Sequence, residues 1–180
     1  VGMPNFVGTV VTPCGGERRA MWVESLNERN HLLDLLVTRG VTDVLTQPLR
    51  LEWQFERGVR EHTPDFLVRS ADGLTSLVDV TRVSVVENSA ALAVFVLTAA
   101  SAEAMGWGYE LRTEMPPQRA RNLRFVWSHR AGALQPSEGR VLAGLSWPVS
   151  LGELADQLGG GARGRDRVRE LVGAGALWVD

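Results

Sequence analysis

The chain has 180 residues, of which 44% are hydrophobic and 22% are charged, a composition that is typical of a folded globular protein. Its net charge is −2, which excludes a uniformly basic surface, and all 19 basic residues are arginine. No apolar stretch is long enough to span a membrane without interruption, and the first residues lack the pattern of a secretory signal. The single cysteine, Cys14, allows no internal disulfide, so we expect a cytoplasmic protein without a membrane segment.

The first part of the chain is predicted to alternate between strands and helices. Residues 1–20 indicate a loose strand and a loop, and residues 24–39 carry the apolar spacing of a helix. Alternation of apolar and polar residues predicts a half-buried strand over 47–55. Two more strands are predicted over 66–68 and 74–83.

These last two strands carry the most informative acids of the sequence. Asp65 precedes the first strand, Asp79 lies within the second, and an Ala71-Asp72-Gly73 turn joins them. This pattern predicts a β-hairpin that holds Asp65 and Asp79 close together. Two carboxylates at adjacent strand positions can bind a hard divalent cation such as Mg²⁺.

A long, nearly all-apolar helix is predicted over residues 87–105, and we expect it to be buried on most sides. A short strand over 109–113 follows it. A helix that connects two neighbouring strands predicts a right-handed crossover, and therefore a mixed sheet with helices packed against it.

A Met-Pro-Pro sequence at 115–117 marks a linker, after which the pattern changes to short helices. They are predicted over 119–129, 138–145, 150–158 and 163–172, with a closing strand over 176–179. Ser150 and Glu153 have the spacing of a capping box, and three glycines at 159–161 separate the last two helices. The order helix, turn, helix, strand predicts a winged helix-turn-helix.

Arginines cluster at two places in this C-terminal part. The first cluster contains no acid and consists of Arg119, Arg121, Arg124 and Arg130. The second surrounds Asp166 and consists of Arg163, Arg165, Arg167 and Arg169. Local basic patches can bind phosphates even when the total charge is slightly acidic. The clusters are equally compatible with two solvated helix faces.

Glu28, Asp65 and Asp79 are the candidate metal ligands, and each has a structural alternative. Glu28 follows a serine by three residues and can cap the first helix. Asp65 follows a proline, a pair that is common in turns, and Asp79 could lie on the solvent face of a half-buried strand. His31 and His62 are interpreted as surface residues rather than ligands.

In combination these segments resemble the TnsA-like endonucleases, a family of the restriction-endonuclease-like, PD-(D/E)xK superfamily. The resemblance runs from about Trp22 to Thr113 and is carried by segments 24–29, 47–51, 62–68, 77–80 and 105–113. It implies an α/β fold with a restriction-endonuclease-like mixed central sheet flanked by helices, plus a small C-terminal winged-helix domain. The implied boundaries are a strand and loop extension over 1–20, a nuclease domain over 21–117 and a winged-helix-like domain over 118–180.

The resemblance also implies an activity and a set of site residues. The chain would be a metal-dependent DNA endonuclease, the subunit of a heteromeric transposase that cleaves one strand at the element ends, with Mg²⁺ or Mn²⁺ as cofactor. Its partners would be double-stranded DNA and a transposase or assembly protein, and a homodimer is compatible with this role. By position, Glu28, Asp65 and Asp79 would hold the metal, and Thr81 stands where the family has its catalytic lysine. The chain contains no lysine, and Arg82 is adjacent, although consecutive strand residues point to opposite faces.

The missing lysine leaves several hypotheses open. Arg29 or Arg60 could supply a cation from elsewhere in the fold. Alternatively, the chain is a catalytically degenerate nuclease-fold protein that serves as a DNA-binding or assembly subunit. A further hypothesis is a winged-helix DNA-binding regulator whose recognition helix carries the arginines of 163–169, which leaves the first 115 residues unexplained.

Overall fold

The computed structural model describes residues 8–14, 17–56, 58–129, 134–174 and 176–177. Its internal contacts divide the chain between Pro116 and Pro117 into two compact units, one residue before the predicted end of the nuclease-like domain. The helices and sheets confirm the α/β class, whereas the restriction-endonuclease-like and winged-helix assignments stay predictions. Within the described ranges, no helix is long and apolar enough to cross a membrane.

Two antiparallel hairpins flank the first helix and the first strand of the central sheet. The first hairpin pairs β1 (Gly8–Cys14) with β2 (Glu17–Val23), so β2 runs through the boundary that was predicted at residue 20. The second pairs β4 (Leu51–Phe55) with β5 (Gly58–His62). The strand predicted over 47–55 is shorter at its start because Gln47 has a φ of 47°, a left-handed conformation that no extended strand contains.

The central sheet of the N-terminal unit has the order β3-β6-β7-β8, formed by Val41–Thr46, Phe66–Ser70, Thr75–Val80 and Gly108–Arg112. The pairs β3–β6 and β6–β7 are antiparallel and β7–β8 is parallel, which confirms the predicted hairpin and mixed sheet. Val44, Phe66, Leu77 and Val78 are buried in its core. Strand β7 ends at Val80 instead of 83, and a short helix begins at Val83.

The described residues of this unit also form three helices: α1 (Leu26–Val37), α2 (Val83–Val86) and α3 (Ser89–Ala104). Helix α1 buries a continuous side that includes Leu32, Leu33 and Leu35. The expectation that α3 is buried on most sides is wrong: of its residues only Thr98 and Ala102 are buried, while Leu92 is 42% and Val96 60% exposed. An apolar sequence alone does not show which side of a helix is packed, and α3 packs on β7 and β8 while Leu92 and Val96 remain exposed.

The C-terminal unit contains α4 (Pro117–Ser128), α5 (Pro136–Ala143), α6 (Leu151–Gln157) and α7 (Gly161–Gly173). One core cluster of this unit consists of Leu154, Ala155, Val168, Leu171 and Leu177. The predicted capping box is confirmed, because Ser150 and Glu153 exchange side-chain and backbone hydrogen bonds at the start of α6. Of the predicted closing strand, residues 176–177 form no strand and residues 178–179 lie outside the described residues.

Candidate functional site

The two strand acids do come together in the structure. Phe66 pairs with Val78 across the β6–β7 hairpin, so Asp65, one residue earlier, lies opposite Asp79, one residue later. Opposite residues of an antiparallel pair project to the same face of the sheet. Asp65 Oδ2 accepts a hydrogen bond of 2.6 Å from the Val80 amide, which fixes its carboxylate at the end of β7.

Asp79 is buried, with an exposed fraction of 1%, so the alternative of a solvent-facing position is wrong. His62 Nε2 donates to both carboxylate oxygens, at 2.9 Å to Oδ1 and 3.0 Å to Oδ2, and the Tyr109 hydroxyl donates to Oδ2 at 2.8 Å. The ring of His62 also meets Phe95 of α3 edge to face, with centroids 6.2 Å apart. These donors satisfy a charge that would otherwise be costly to bury.

The pKa values of the ionisable side chains around Asp79, namely Asp65, His62 and Tyr109, are shifted by burial and by neighbouring charges. Burial, together with the negative charges of Glu28 and Asp79, raises the pKa of Asp65 to about 7, although the bond from the Val80 amide opposes the rise. Burial lowers the pKa of His62, but its hydrogen bond and charge attraction to Asp79 outweigh burial, and the net pKa lies above the ordinary value. The cationic imidazolium of His62 is therefore favoured beside Asp79. Burial and the charge of Asp79 raise the pKa of Tyr109, which keeps its hydroxyl a donor.

Glu28 lies at the start of α1, where its side chain accepts hydrogen bonds from residues that precede the helix. Its Oε1 accepts from the Ser25 hydroxyl at 2.7 Å and its Oε2 accepts from the Glu24 amide at 2.7 Å. The Glu28 amide in turn donates to Ser25 Oγ at 3.1 Å. The capping alternative is thus confirmed, while the charge of Glu28 still reaches Asp65.

Thr81, which the resemblance predicts to stand where the TnsA-like family has its lysine, is held through its backbone. Its amide donates to the Arg112 carbonyl at 2.9 Å, and its own carbonyl accepts from Asn27 Nδ2 at 3.1 Å. Asn27 Nδ2 also reaches the Thr113 carbonyl at 3.4 Å, and Asn27 Oδ1 accepts from the Met115 amide at 3.4 Å. One amide side chain on α1 therefore joins the ends of the parallel strands β7 and β8.

His31, one turn further along α1, strengthens the same junction. Its Nε2 lies 2.6 Å from the Thr113 carbonyl, while its Nδ1 is buried without a hydrogen-bond partner among the described residues. Burial lowers the pKa of His31, which favours the neutral ring. His31 is therefore a buried structural residue, and its interpretation as a surface residue is wrong.

None of the three arginines considered as a substitute for a catalytic lysine contacts the acid pair in the described part of the chain. Arg82 is exposed at the start of α2, and its charge acts on the Glu114 carboxylate. The pKa of Glu114 is lowered first by a hydrogen bond from the Val83 amide and further by the charge of Arg82. Arg60 is exposed on β5, and neither it nor Arg29 forms an ion pair with the acids. Among the described residues, the basic side chain that contacts the acid pair is His62, through Asp79.

The residues fit a divalent metal only as a two-carboxylate site. Among the described residues, no group of three or more His, Cys, Asp or Glu side chains is arranged to hold a metal ion, so Glu28 does not complete a ligand set. Mg²⁺, however, is commonly bound through one or two carboxylates, with water and substrate phosphates as its other ligands. Asp65 and Asp79 meet that minimum, and Asp65 Oδ1 accepts no hydrogen bond from the described residues.

Sequence reasoning missed His62 and Tyr109 as partners of Asp79. The signal for His62 was its place three residues before Asp65 in the same motif, and Tyr109 is the second residue of β8, the strand that runs parallel to β7. Both contacts join residues distant in sequence, which no local pattern encodes. No protein-family model matches the chain, and a search of curated proteins found no significant match.

Proposed function

We propose that this chain is a divalent-metal-dependent DNA endonuclease, acting as the nuclease subunit of a heteromeric transposase of the TnsA-like kind that its sequence resembles. The observation that supports this best is the pairing of Asp65 with Asp79 on one face of the β6–β7 hairpin. Burial and neighbouring negative charge raise the pKa of Asp65 to about 7, an arrangement that opposes stability. Clusters of acids with shifted pKa values are typical of functional sites.

Asp65 and Asp79 would hold Mg²⁺ or Mn²⁺, which when bound polarises a phosphodiester and lowers the pKa of an attacking water. The remaining tasks fall to the chain's own groups. The imidazolium of His62 would neutralise negative charge beside the site, as the lysine does in the family that the chain resembles. Tyr109 would hold the Asp79 carboxylate in one orientation.

A second candidate function is the catalytically degenerate one, a nuclease-fold subunit that binds DNA or partner proteins without cutting. The observation that favours it is the engagement of both Asp79 oxygens by His62 and Tyr109. When His62 is protonated, its imidazolium neutralises Asp79 there, so a metal ion would compete with it. Weak or absent metal binding distinguishes this candidate from the first.

The test is a calorimetric titration of Mn²⁺ and Mg²⁺ into the whole chain and into Asp65→Asn and Asp79→Asn. The control is Asp156→Asn, the same chemical change at an exposed position of the C-terminal unit. We expect binding to the unaltered chain and to the control, and its loss in both site variants. Absence of binding at millimolar metal, or binding that both site variants retain, would refute the endonuclease proposal and favour the degenerate subunit.

A further inference from the structure

The last two helices of the C-terminal unit form a compact helix-turn-helix. Helix α6 ends at Gln157, α7 begins at Gly161, and only three residues connect them. A Cβ atom at Gly164 would lie 2.0 Å from the Ala155 carbonyl oxygen, so the two helices approach each other as closely as a glycine allows. In DNA-binding proteins with this motif, the second helix enters the major groove.

Helix α7 has one packed side and one free side. Its buried residues Gly164, Val168 and Leu171 face the core of the unit. Successive residues on an α-helix are about 100° apart, so Arg163 and Arg165 lie about 100° to either side of Gly164. They therefore flank the outward face of the helix, one on each side.

The four arginines of α7 have different roles, which the sequence alone did not show. Arg167 is turned inward: its guanidinium binds Glu138 of α5 at 2.5 and 2.6 Å and Glu170 at 2.6 Å. The hydrogen bonds from Arg167 lower the pKa of Glu138 to about 2, so this pair is ionised at physiological pH. Arg169 pairs with Asp166 at 2.6 Å on the outward face.

Arg163 and Arg165, in contrast, are exposed, and neither forms an ion pair with any described residue. The C-terminal segment to which they belong also carries a net positive charge. The segment 117–180 contains nine arginines against six acids, a net charge of +3, whereas 1–116 contains ten arginines against fifteen acids, a net charge of −5. A polyanion is therefore attracted to the C-terminal unit and repelled by the N-terminal one.

We infer that α7 is a recognition helix that docks in the major groove of duplex DNA, with Arg163 and Arg165 bound to the phosphates of its two strands. The major groove is about 12 Å wide and accepts a helix of about 10–12 Å diameter, so side chains on the two flanks meet the two walls of the groove. The same groove in duplex RNA is too deep and narrow for side chains to read, which favours DNA. This inference adds a second DNA contact to the proposed function. It rests on the proposed function in one respect, namely that the substrate is DNA.

The test measures fluorescence anisotropy of a short labelled duplex DNA of random sequence, titrated with the whole chain in EDTA. Arg163→Ala and Arg165→Ala are compared with Arg140→Ala, which removes the same charge from an exposed position on α5. Each α7 variant should weaken binding several-fold and reduce the slope of log affinity against log salt by about 0.9, the value for one lost phosphate contact. Arg140→Ala should change neither, and thermal unfolding should show that all three variants are folded.

Three outcomes would overturn the inference: no duplex binding at about 50 mM salt, equal effects of all three substitutions, or tighter binding to an RNA duplex of the same sequence. Because EDTA removes divalent metal, the result does not depend on metal binding by the acid pair. Duplex binding without metal binding would support this inference and refute the endonuclease proposal. Metal binding at the acid pair without duplex binding in EDTA would refute this inference and leave the endonuclease proposal standing.

Discussion

Asp65→Asn should stabilise the metal-free protein at alkaline pH. The folded-state pKa of Asp65 is about 7, against 3.8 as its ordinary value, a difference of about three units. At about 1.4 kcal/mol for each unit, an ionised Asp65 lowers the free energy of unfolding by about 4 kcal/mol at most. Asparagine keeps the oxygen that accepts from the Val80 amide but carries no charge.

The sign follows from the two protonation states. Below pH 3.8 Asp65 is protonated in both the folded and the unfolded chain, so it contributes nothing. Between 3.8 and about 7 only the unfolded chain loses the proton, and stability falls as the pH rises. Above about 7 the full penalty is present, so the gain from Asp65→Asn should be about 2–3 kcal/mol larger near pH 8 than near pH 5.

Urea unfolding of the whole chain in EDTA at these two pH values measures the gain. Asp156→Asn is the control, because its exposed carboxylate should leave the free energy of unfolding within about 0.5 kcal/mol of the unaltered chain at both. A variant that is destabilised near pH 8, or whose gain does not depend on pH, would refute the reasoning about the acid cluster. If the gain is found together with loss of metal binding, Asp65 lowers stability in favour of function.

Two further predictions concern the histidines and the helix-turn-helix. In an NMR pH titration His62 should titrate above 6.5 and His31 below it, and Asp79→Asn should lower the pKa of His62 only. The stabilisation from His62 is accordingly complete below 6.5 and is lost as the pH rises through its folded-state pKa; a His62 that titrates below 6.5 would contradict its pairing with Asp79. Gly164→Ala should cost about 3 kcal/mol or more in thermal or urea unfolding, because its Cβ would meet the Ala155 backbone. Gly139→Ala, whose Cβ would make only an ordinary van der Waals contact of 3.9 Å with Leu134 Cδ2, should instead stabilise by about 0.5–1 kcal/mol, and equal effects of both changes would show that α6 and α7 do not pack closely.

Features that depend on neighbours in the sequence could be predicted. The hairpin that carries Asp65 and Asp79 follows from alternation and a turn motif, and the caps at Ser25 and Ser150 follow from a spacing of three residues. The partners of Asp79 could not be predicted in this way, since His62 is 17 and Tyr109 is 30 residues away. Such contacts are decided by how the strands are ordered in the sheet.

Side-chain direction was the second thing that the sequence left open. Helix α3 is apolar on every side, so periodicity could not identify its exposed residues Leu92 and Val96. In α7 the four arginines alternate along the chain, yet Arg167 is turned toward Glu138 by the packing of α5. Composition gives the charge of a helix, whereas its tertiary contacts decide which charges remain available to a ligand.

The junction that Asn27 and His31 make with the ends of β7 and β8 has a consequence for folding kinetics. Its hydrogen bonds join residues that are 54 to 88 positions apart. Closing loops of this length costs more chain entropy than forming a hairpin, so such contacts are expected late on the folding pathway, after β6 and β7 have paired. Asp65 and Asp79 can therefore meet early in folding. The backbone around Thr81 reaches its final arrangement only when helix α1 docks, so the acid pair forms before the rest of the site.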